Sequence, residues 1–177
     1  MIIQLRFSLS FNELTNNSLM NGDDTMTYEE LIAENPGVDI MDRHFNSDNI
    51  KGLYFNGKIA INDNIETTVE KMCILAEELG HHYTSSGTII DMQDTGNRKQ
   101  EHIARCWAYN KLVTFEKLID AFEYGCRNRY EFAEYIGVTE QFLLDAMEQF
   151  KQKYGCCKKV GDYTFIFYPY YDIMKNF

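Results

Sequence analysis

The sequence lacks the features that would place it in several large classes of protein. No stretch of it approaches the roughly 18 consecutive apolar residues that a membrane-spanning helix needs. The glycine-rich signatures that cradle nucleotide phosphates, GxGxxG and GxxxxGKS or GxxxxGKT, are both missing. The first residues turn polar after Phe11 and show no small-residue cleavage site, so we expect no secretion signal. These gaps argue against a membrane protein, a nucleotide-phosphate enzyme and a secreted protein.

Positive charge is also scarce. The 17 lysines and arginines are outnumbered by 27 aspartates and glutamates, which leaves a net charge of −10. A charge of this sign opposes attraction to a phosphate backbone. We therefore expect no direct binding of nucleic acid.

The cysteines do not form a disulfide framework. There are five of them, an odd number, and they follow no framework spacing. They are Cys73, Cys106, Cys126, Cys156 and Cys157. Reduced thiols in a cytoplasmic protein explain this pattern best. The adjacent pair Cys156 and Cys157 is a poor zinc knuckle, because structural zinc sites space their cysteines two to four residues apart. A metal in this protein would therefore be held by glutamate and histidine.

The most informative segment is a predicted helix that carries acidic residues and histidines. Apolar residues recur in it at helical spacing, which predicts that much of the helix is buried. These residues are Val69, Met72, Cys73, Ala76 and Leu79. Glu77 and His81 lie four residues apart and therefore share one face of the helix. Charged groups are buried when they are paired or bind a metal, so this face is a candidate metal site.

The spacing matches the HExxH motif of zinc peptidases with one substitution. In that motif two histidines four residues apart bind the metal, and the glutamate beside the first takes a proton from the attacking water. Glu77 stands at the first histidine position, His81 at the second and Glu78 at that of the catalytic glutamate. A carboxylate can also bind zinc. The competing pair, Glu78 and His82, would place Leu79 where the base belongs, so we prefer the first frame for catalysis.

Gly80 interrupts this helix, where glycine costs about 1 kcal/mol relative to alanine. Two explanations are open. One is close packing against a neighbouring strand, and the other is room for a substrate beside His81.

A catalytic zinc needs a third protein ligand and an open position for water. The best candidate is Glu101, on the first turn of a second predicted helix. The apolar stripe of that helix consists of Ile103, Ala104, Trp107, Ala108 and Leu112. The neighbouring His102 is a rival, and spacing alone favours Glu101 only slightly.

These two helices carry a resemblance to a known family. ILAEELGHHYTSSG followed by NRKQEHIARCWAYNKL is similar to the ImmA/IrrE metallopeptidases of phages and mobile elements, in a branch whose motif reads EELGH. The similarity extends from about Met26 to the C-terminus. It implies a zincin-like fold, a metal held by Glu77, His81 and Glu101, and Glu78 as the catalytic glutamate. It also implies a substrate, which is a helix-turn-helix repressor of a phage or mobile element.

Local signals predict a short helix and a β-hairpin before the motif helix. Thr27 and Glu30 form the capping box of the short helix. Residues 53–61 predict the hairpin, because Asn56-Gly57 supplies the positive φ angles of a type I′ turn between two apolar runs. In zincin-like folds a strand in this place lies beside the metal. We therefore expect the edge of strand 58–62 to present the substrate backbone, and a role in the core sheet alone is the equally weighted alternative for any single residue of this strand.

The second half of the chain is predicted to be mostly helical. Helices are expected at 115–124, at 129–135 and, after a turn at 137–138, from an N-cap at Thr139 to about Tyr154. The last two have helix-turn-helix spacing. The second of them is acidic and lacks the lysines and arginines that contact phosphates, so we interpret the pair as a packing or docking unit. A strand at 163–168 follows.

The prediction for the whole chain is an α+β fold. A zincin-like metallopeptidase core is expected at 26–125, with a small sheet or hairpin packed on the motif helix. A helical, helix-turn-helix-like part with a C-terminal strand is expected at 126–177. Residues 1–25 are expected to be an unanchored N-terminal extension, with Met20 or Met26 as alternative start codons.

The hypothesis that follows is a cytoplasmic metallo-endopeptidase that acts on a repressor protein and binds neither nucleic acid nor a membrane. Glu77, His81 and Glu101 would hold Zn²⁺, or Mn²⁺ or Fe²⁺, because two of the donors are carboxylates. Glu78 would activate water. Two other classes remain. One is a non-catalytic module that binds a repressor without cleaving it. The other is a DNA-binding regulator that uses residues 129–150, and the acidic charge of the protein disfavours this function.

Overall fold

The computed structural model describes residues 25–47, 49–84 and 95–176. One helix, three short strands and two long helices make up the first half of these residues, and three helices followed by three strands make up the second half. The predicted α+β class is therefore confirmed. The prediction for the N-terminal extension falls almost entirely on residues 1–24, which lie outside the described residues. None of the helices in the described ranges is both long and apolar enough to cross a bilayer.

The first helix and strand follow from local hydrogen bonding. Helix α1 (Tyr28–Ala33) begins after Thr27, whose side chain accepts a hydrogen bond from the backbone N–H of Glu30. The Glu30 carboxylate in turn accepts from the backbone N–H of Thr27, so the predicted capping box is confirmed. Strand β1 (Asp39–Arg43) follows, and Asp42 in it accepts a hydrogen bond from the hydroxyl of Tyr28 at 2.8 Å.

The predicted hairpin is confirmed, but its place in the sheet differs from expectation. Strands β2 (Gly52–Phe55) and β3 (Lys58–Asn62) are joined by Asn56 and Gly57, whose φ angles are 49° and 80°. Strand β3 is the centre of the sheet, parallel to β1 on one side and antiparallel to β2 on the other. Both edges of residues 58–62 are therefore paired, and the expectation that this strand offers an edge to a substrate is wrong. Within the described residues, an edge is left on β2.

Two long helices pack on one another beside this sheet. Helix α2 (Thr68–Thr84) carries the motif, and helix α3 (Thr95–Leu112) carries Glu101. The predicted apolar faces are largely buried, with two exceptions. Val69 is 38% exposed and Ile103 is 40% exposed. Periodicity identifies a helix face but does not say how far along it the neighbouring elements extend, which is why the first turn of α2 was assigned wrongly.

The second half of the chain adds three helices and a second sheet. The predicted helices are confirmed as α4 (Phe115–Tyr124), α5 (Arg129–Ile136) and α6 (Glu140–Tyr154). The single strand expected at 163–168 is instead β5 (Tyr163–Ile166), the centre of an antiparallel sheet with β4 (Cys157–Val160) and β6 (Asp172–Lys175).

Aromatic packing joins this second sheet to the helices. The ring of Phe115 on α4 lies 4.9 Å from that of Phe150 on α6 and 4.7 Å from that of Phe165 on β5. Nearer the start of α6, the ring of Phe142 meets that of Tyr109 on α3 at 5.0 Å. Helix α6 is therefore a packing element that contacts α3, in agreement with the interpretation of its sequence.

Candidate active site

The candidate site lies where α2 and α3 touch. At Gly80 the two backbones are so close that a Cβ atom placed there would lie 2.2 Å from the carbonyl oxygen of Ala104. Gly80 is therefore a packing residue, and its partner is a helix, not the strand that the sequence analysis considered. The contact determines where His81, the next residue of α2, meets the side chains of α3.

His81 and Glu101 meet across this helix contact. Nε2 of His81 lies 3.1 Å from Oε2 of Glu101, and the His81 side chain is mostly buried. The other oxygen of Glu101, Oε1, lies 2.7 Å from Nε of Arg105, one turn later on α3. The Glu101 carboxylate thus links a histidine of the motif helix to an arginine of its own helix.

Glu77 lies one turn before His81, on the face of α2 that is directed toward α3. Burial raises the pKa of its carboxyl group, and the guanidinium of Arg105 opposes that rise. The carboxylates of Glu101 and Asp145 raise the pKa further. Glu77 therefore belongs electrostatically to the same group of charges as Glu101.

Glu78 is directed away from α3, toward β2. A Cβ atom at Gly52 would lie 2.7 Å from Oε1 of Glu78, so this carboxylate packs directly on the strand backbone. The backbone N–H of Tyr54 donates a hydrogen bond to it. Burial, followed by the charges of Glu77 and Glu101, raises the pKa of Glu78 to about 7. A partly enclosed carboxyl group with a pKa near neutrality is typical of functional sites.

His82, part of the competing frame, lies on the side of α2 near β2. Its ring packs between Tyr54 and Tyr83, with centroid distances of 5.6 and 4.9 Å. Its Nδ1 is buried and has no hydrogen-bond partner among the described residues. The aromatic contacts therefore hold this histidine away from the face that carries Glu77 and His81.

His102, the rival to Glu101, is directed outward from α3. It is exposed, and its Nε2 lies 3.5 Å from Sγ of Cys106. Of the two neighbours, it is Glu101 that contacts His81. Their difference in orientation follows from the rotation of about 100° between successive residues of a helix.

The side chains at this site are of the types that bind a metal, but their present rotamers do not place them in ligand geometry. Within residues 25–47, 49–84 and 95–176, no three histidine, cysteine, aspartate or glutamate side chains are arranged to hold a metal ion. Two of the three expected donors, His81 and Glu101, are in contact. Glu77 shares its environment with other carboxylates, and like charges in one site disfavour one another. A divalent cation would offset these charges, so the donor set suits a metal although the three side chains are not in ligand geometry.

Two functional features escaped the sequence analysis. Arg105 could have been found from its spacing to Glu101, since a glutamate four residues before an arginine commonly forms an ion pair on a helix. Gly52 carries no such signal, because its importance depends on β2 meeting the Glu78 side chain, a contact between separate elements.

Comparison with known proteins identifies a family. A family model described as Peptidase_M78, IrrE N-terminal-like domain, matches residues 33–148. This range runs from the end of α1 into α6 and includes all four residues of the predicted site. Searches of curated proteins and of solved structures found no match.

Proposed function

Because the chain belongs to the IrrE N-terminal-like family of Peptidase_M78, which points to a metallopeptidase-type hydrolase, we propose that it is a metal-dependent endopeptidase. Its proposed substrate is a helix-turn-helix repressor of a phage or mobile element. One observation carries the proposal: His81 of the motif helix contacts Glu101 of the next helix, while Glu78 lies against an edge strand. This arrangement separates a metal-binding side of α2 from a proton-transfer side.

Glu77, His81 and Glu101 are the residues proposed to hold the metal. Zn²⁺ suits this set, and the two carboxylates also allow Mn²⁺ or Fe²⁺. When bound, such an ion supplies Lewis acidity that polarises the scissile carbonyl and activates water. The family membership supports a metal cofactor, and the accumulation of carboxylates around His81 supports this location.

Glu78 is proposed to accept the proton of the attacking water at its carboxylate and to return it to the leaving amine. Its pKa near 7 suits a group that both takes and gives a proton near neutral pH. The N–H of Tyr54 and the close approach of Gly52 hold the carboxylate in place. Strand β2 therefore holds the carboxylate in position, whereas burial and the charges of Glu77 and Glu101 raise its pKa.

The substrate is proposed to pair with β2 as an added strand. In a hairpin with a two-residue turn, the backbone groups of Tyr54 and Gly52 point away from β3. The N–H of Tyr54 is already bonded to Glu78, so a peptide would pair with the Tyr54 carbonyl and with the backbone groups of Gly52. An extended peptide along this edge would run past Glu78 and make backbone hydrogen bonds that do not depend on its sequence. The edge on β2 thus takes the role that the sequence analysis assigned to β3.

Side chains beside this edge suit an apolar peptide segment. Leu53 is 52% exposed and Phe55 is 65% exposed, and both alternate with the residues whose backbone faces the edge. The net charge of −10 also favours approach of a basic partner, which a DNA-binding repressor commonly is.

Removal of either contacting donor is expected to release the metal. His81→Ala and Glu101→Ala should each lower Zn²⁺ affinity at least about tenfold, because each removes a ligand. His102→Ala is the matched control, since His102 neighbours Glu101 but faces solvent near Cys106. Metal content of the purified proteins and competition with a chelator measure the effect. Full metal occupancy in Glu101→Ala would show that the third ligand lies elsewhere.

A second test concerns the support that β2 gives to Glu78. Gly52→Ala places a methyl group 2.7 Å from both Oε1 of Glu78 and Cγ2 of Ile74, so both side chains must shift. We expect peptide cleavage to fall by about 10-fold to 100-fold, together with a lower Tm because Ile74 is displaced as well. Unchanged cleavage by a folded Gly52→Ala protein would contradict the position assigned to Glu78.

A non-catalytic module is the second candidate function. One observation favours it: Glu101 already has two side-chain partners, His81 and Arg105, and the expected ligands among the described residues are not in ligand geometry. Such a protein would antagonise a repressor by contact alone. A Glu78→Gln protein that still relieves repression, with the repressor left intact, would favour this alternative.

A further inference from the structure

The candidate site contains a positive charge that belongs to the protein itself. Nε of Arg105 lies 2.7 Å from Oε1 of Glu101, and the guanidinium also acts on the buried carboxyl group of Glu77. Glu77 and Glu101 act on Arg105 in return and raise its pKa against the effect of burial. Arg105 is therefore the ion-pair partner of Glu101 and acts on Glu77 through its charge, without a direct ion pair.

The net charge of the proposed metal site suggests a function for the contact between Arg105 and Glu101. A divalent metal with two histidines and one carboxylate, the commonest donor set of HExxH peptidases, carries one net positive charge. Glu77 replaces one of those histidines, and a metal held by Glu77, His81 and Glu101 would be neutral. The guanidinium of Arg105 beside the two carboxylates returns the total to one positive charge.

We propose that Arg105 is a positioning residue of the metal centre that supplies the positive charge removed by a glutamate at position 77. The proposal rests on the proposed function, because it assumes that Glu77 and Glu101 bind the metal. Arg105 touches the outer oxygen of Glu101, so it acts through this ligand and orients it toward His81. Partners of this kind hold metal ligands in place and tune the metal.

A merely structural role makes a different prediction. Glu101 and Arg105 are four residues apart and their side chains are 43% and 51% exposed, and a pair of this kind is ordinarily of little energetic value. Such a pair would neither interact with residue 77 nor change the charge that a ligand experiences at the metal. The two explanations are separated by variants that exchange the charges at positions 77 and 105 singly and together.

The experiment uses the full-length protein loaded with Co²⁺, with azide as an anionic probe of the charge at the metal. Four proteins are compared: wild type, Arg105→Gln, Glu77→His and the double variant. The single changes alter the site charge in opposite directions, and the double change restores it. We expect azide to bind about tenfold more weakly to Arg105→Gln, about tenfold more tightly to Glu77→His, and within about threefold of wild type to the double variant.

Two controls accompany the azide measurement. Arg105→Lys keeps the charge and should bind azide within about threefold of wild type. Lys111→Gln removes another cation of α3, whose partner is Glu34 and not a site residue, and should leave azide affinity unchanged. The metal-free proteins give a second readout. Arg105→Gln should lower Tm by about 4 °C, and by less than about half of that in the Glu77→His background.

Each outcome supports or overturns the proposed role of Arg105. Azide affinity that is the same in wild type and Arg105→Gln, or equal Tm losses in both backgrounds, would overturn the role of Arg105 while leaving the proposed function intact. Absence of Co²⁺ and Zn²⁺ binding in all four proteins would overturn the proposed function and this inference together. Opposite shifts that cancel in the double variant would establish it.

Discussion

Replacement of Glu78 by glutamine is expected to leave a folded, metal-binding protein that cleaves its cognate repressor about 10²-fold to 10⁴-fold more slowly. The amide keeps the shape of the side chain, so it should still fit against Gly52 on β2. It cannot accept a proton from water at neutral pH, and general base catalysis is lost. Metal content, circular dichroism and the rate of repressor cleavage measure the three parts of this expectation.

The matched control for this variant is Glu70→Gln. Glu70 lies two turns earlier on the same helix and pairs with Lys51, away from the candidate site. We expect it to cleave at the wild-type rate. If Glu78→Gln also cleaves at the wild-type rate while binding metal, Glu78 has no part in proton transfer, and a different base must be sought.

Replacement of Gly80 by alanine is expected to cause the largest loss of stability among single changes near the site. Its Cβ atom would lie 2.2 Å from a backbone oxygen of Ala104, and backbone cannot rotate away as a side chain can. Overpacking of this kind costs about 3 kcal/mol, more than the roughly 1 kcal/mol that alanine gains over glycine within a helix. We expect Tm to fall by about 4–8 °C after that offset.

The Gly80→Ala protein should also lose metal affinity, because separation of α2 from α3 pulls His81 away from Glu101. Gly37→Ala is the control, since a Cβ atom there meets no atom within 4 Å and its backbone does not need glycine. This control should change stability by less than about 1 kcal/mol. Equal stability of the Gly80→Ala protein and wild type would mean that the two helices are not in contact as described.

Features that depend on a few neighbouring residues were predicted well. The capping box of Thr27 and Glu30, the type I′ turn at Asn56-Gly57 and the N-cap at Thr139 all have the predicted form. Each is a hydrogen-bonding or conformational preference that is satisfied within about four residues of chain. The chain carries the complete information for such features in one short stretch.

Features that depend on distant residues were missed or misplaced. Strand β1 pairs with the side of β3 that β2 leaves open. This pairing occupies the edge of β3 at which the sequence analysis expected a substrate. Strands β4 and β6 belong to a sheet because each of them pairs with β5. The order of strands in a sheet is decided by which pairings bury the most apolar surface together, and no local pattern records that choice.

For the candidate site, the sequence by itself determined which residues share a helix face. The four-residue spacing put Glu77 and His81 together and turned Glu78 away from them, because a helix rotates by about 100° per residue. The tertiary structure alone decided what each face meets. Close contact of Gly80 with Ala104 brings Glu101 and Arg105 to His81, and the edge strand brings Gly52 to Glu78. Periodicity is a property of one element, whereas the crossing point of two helices depends on where both backbones can approach, and that is settled by packing of the whole core.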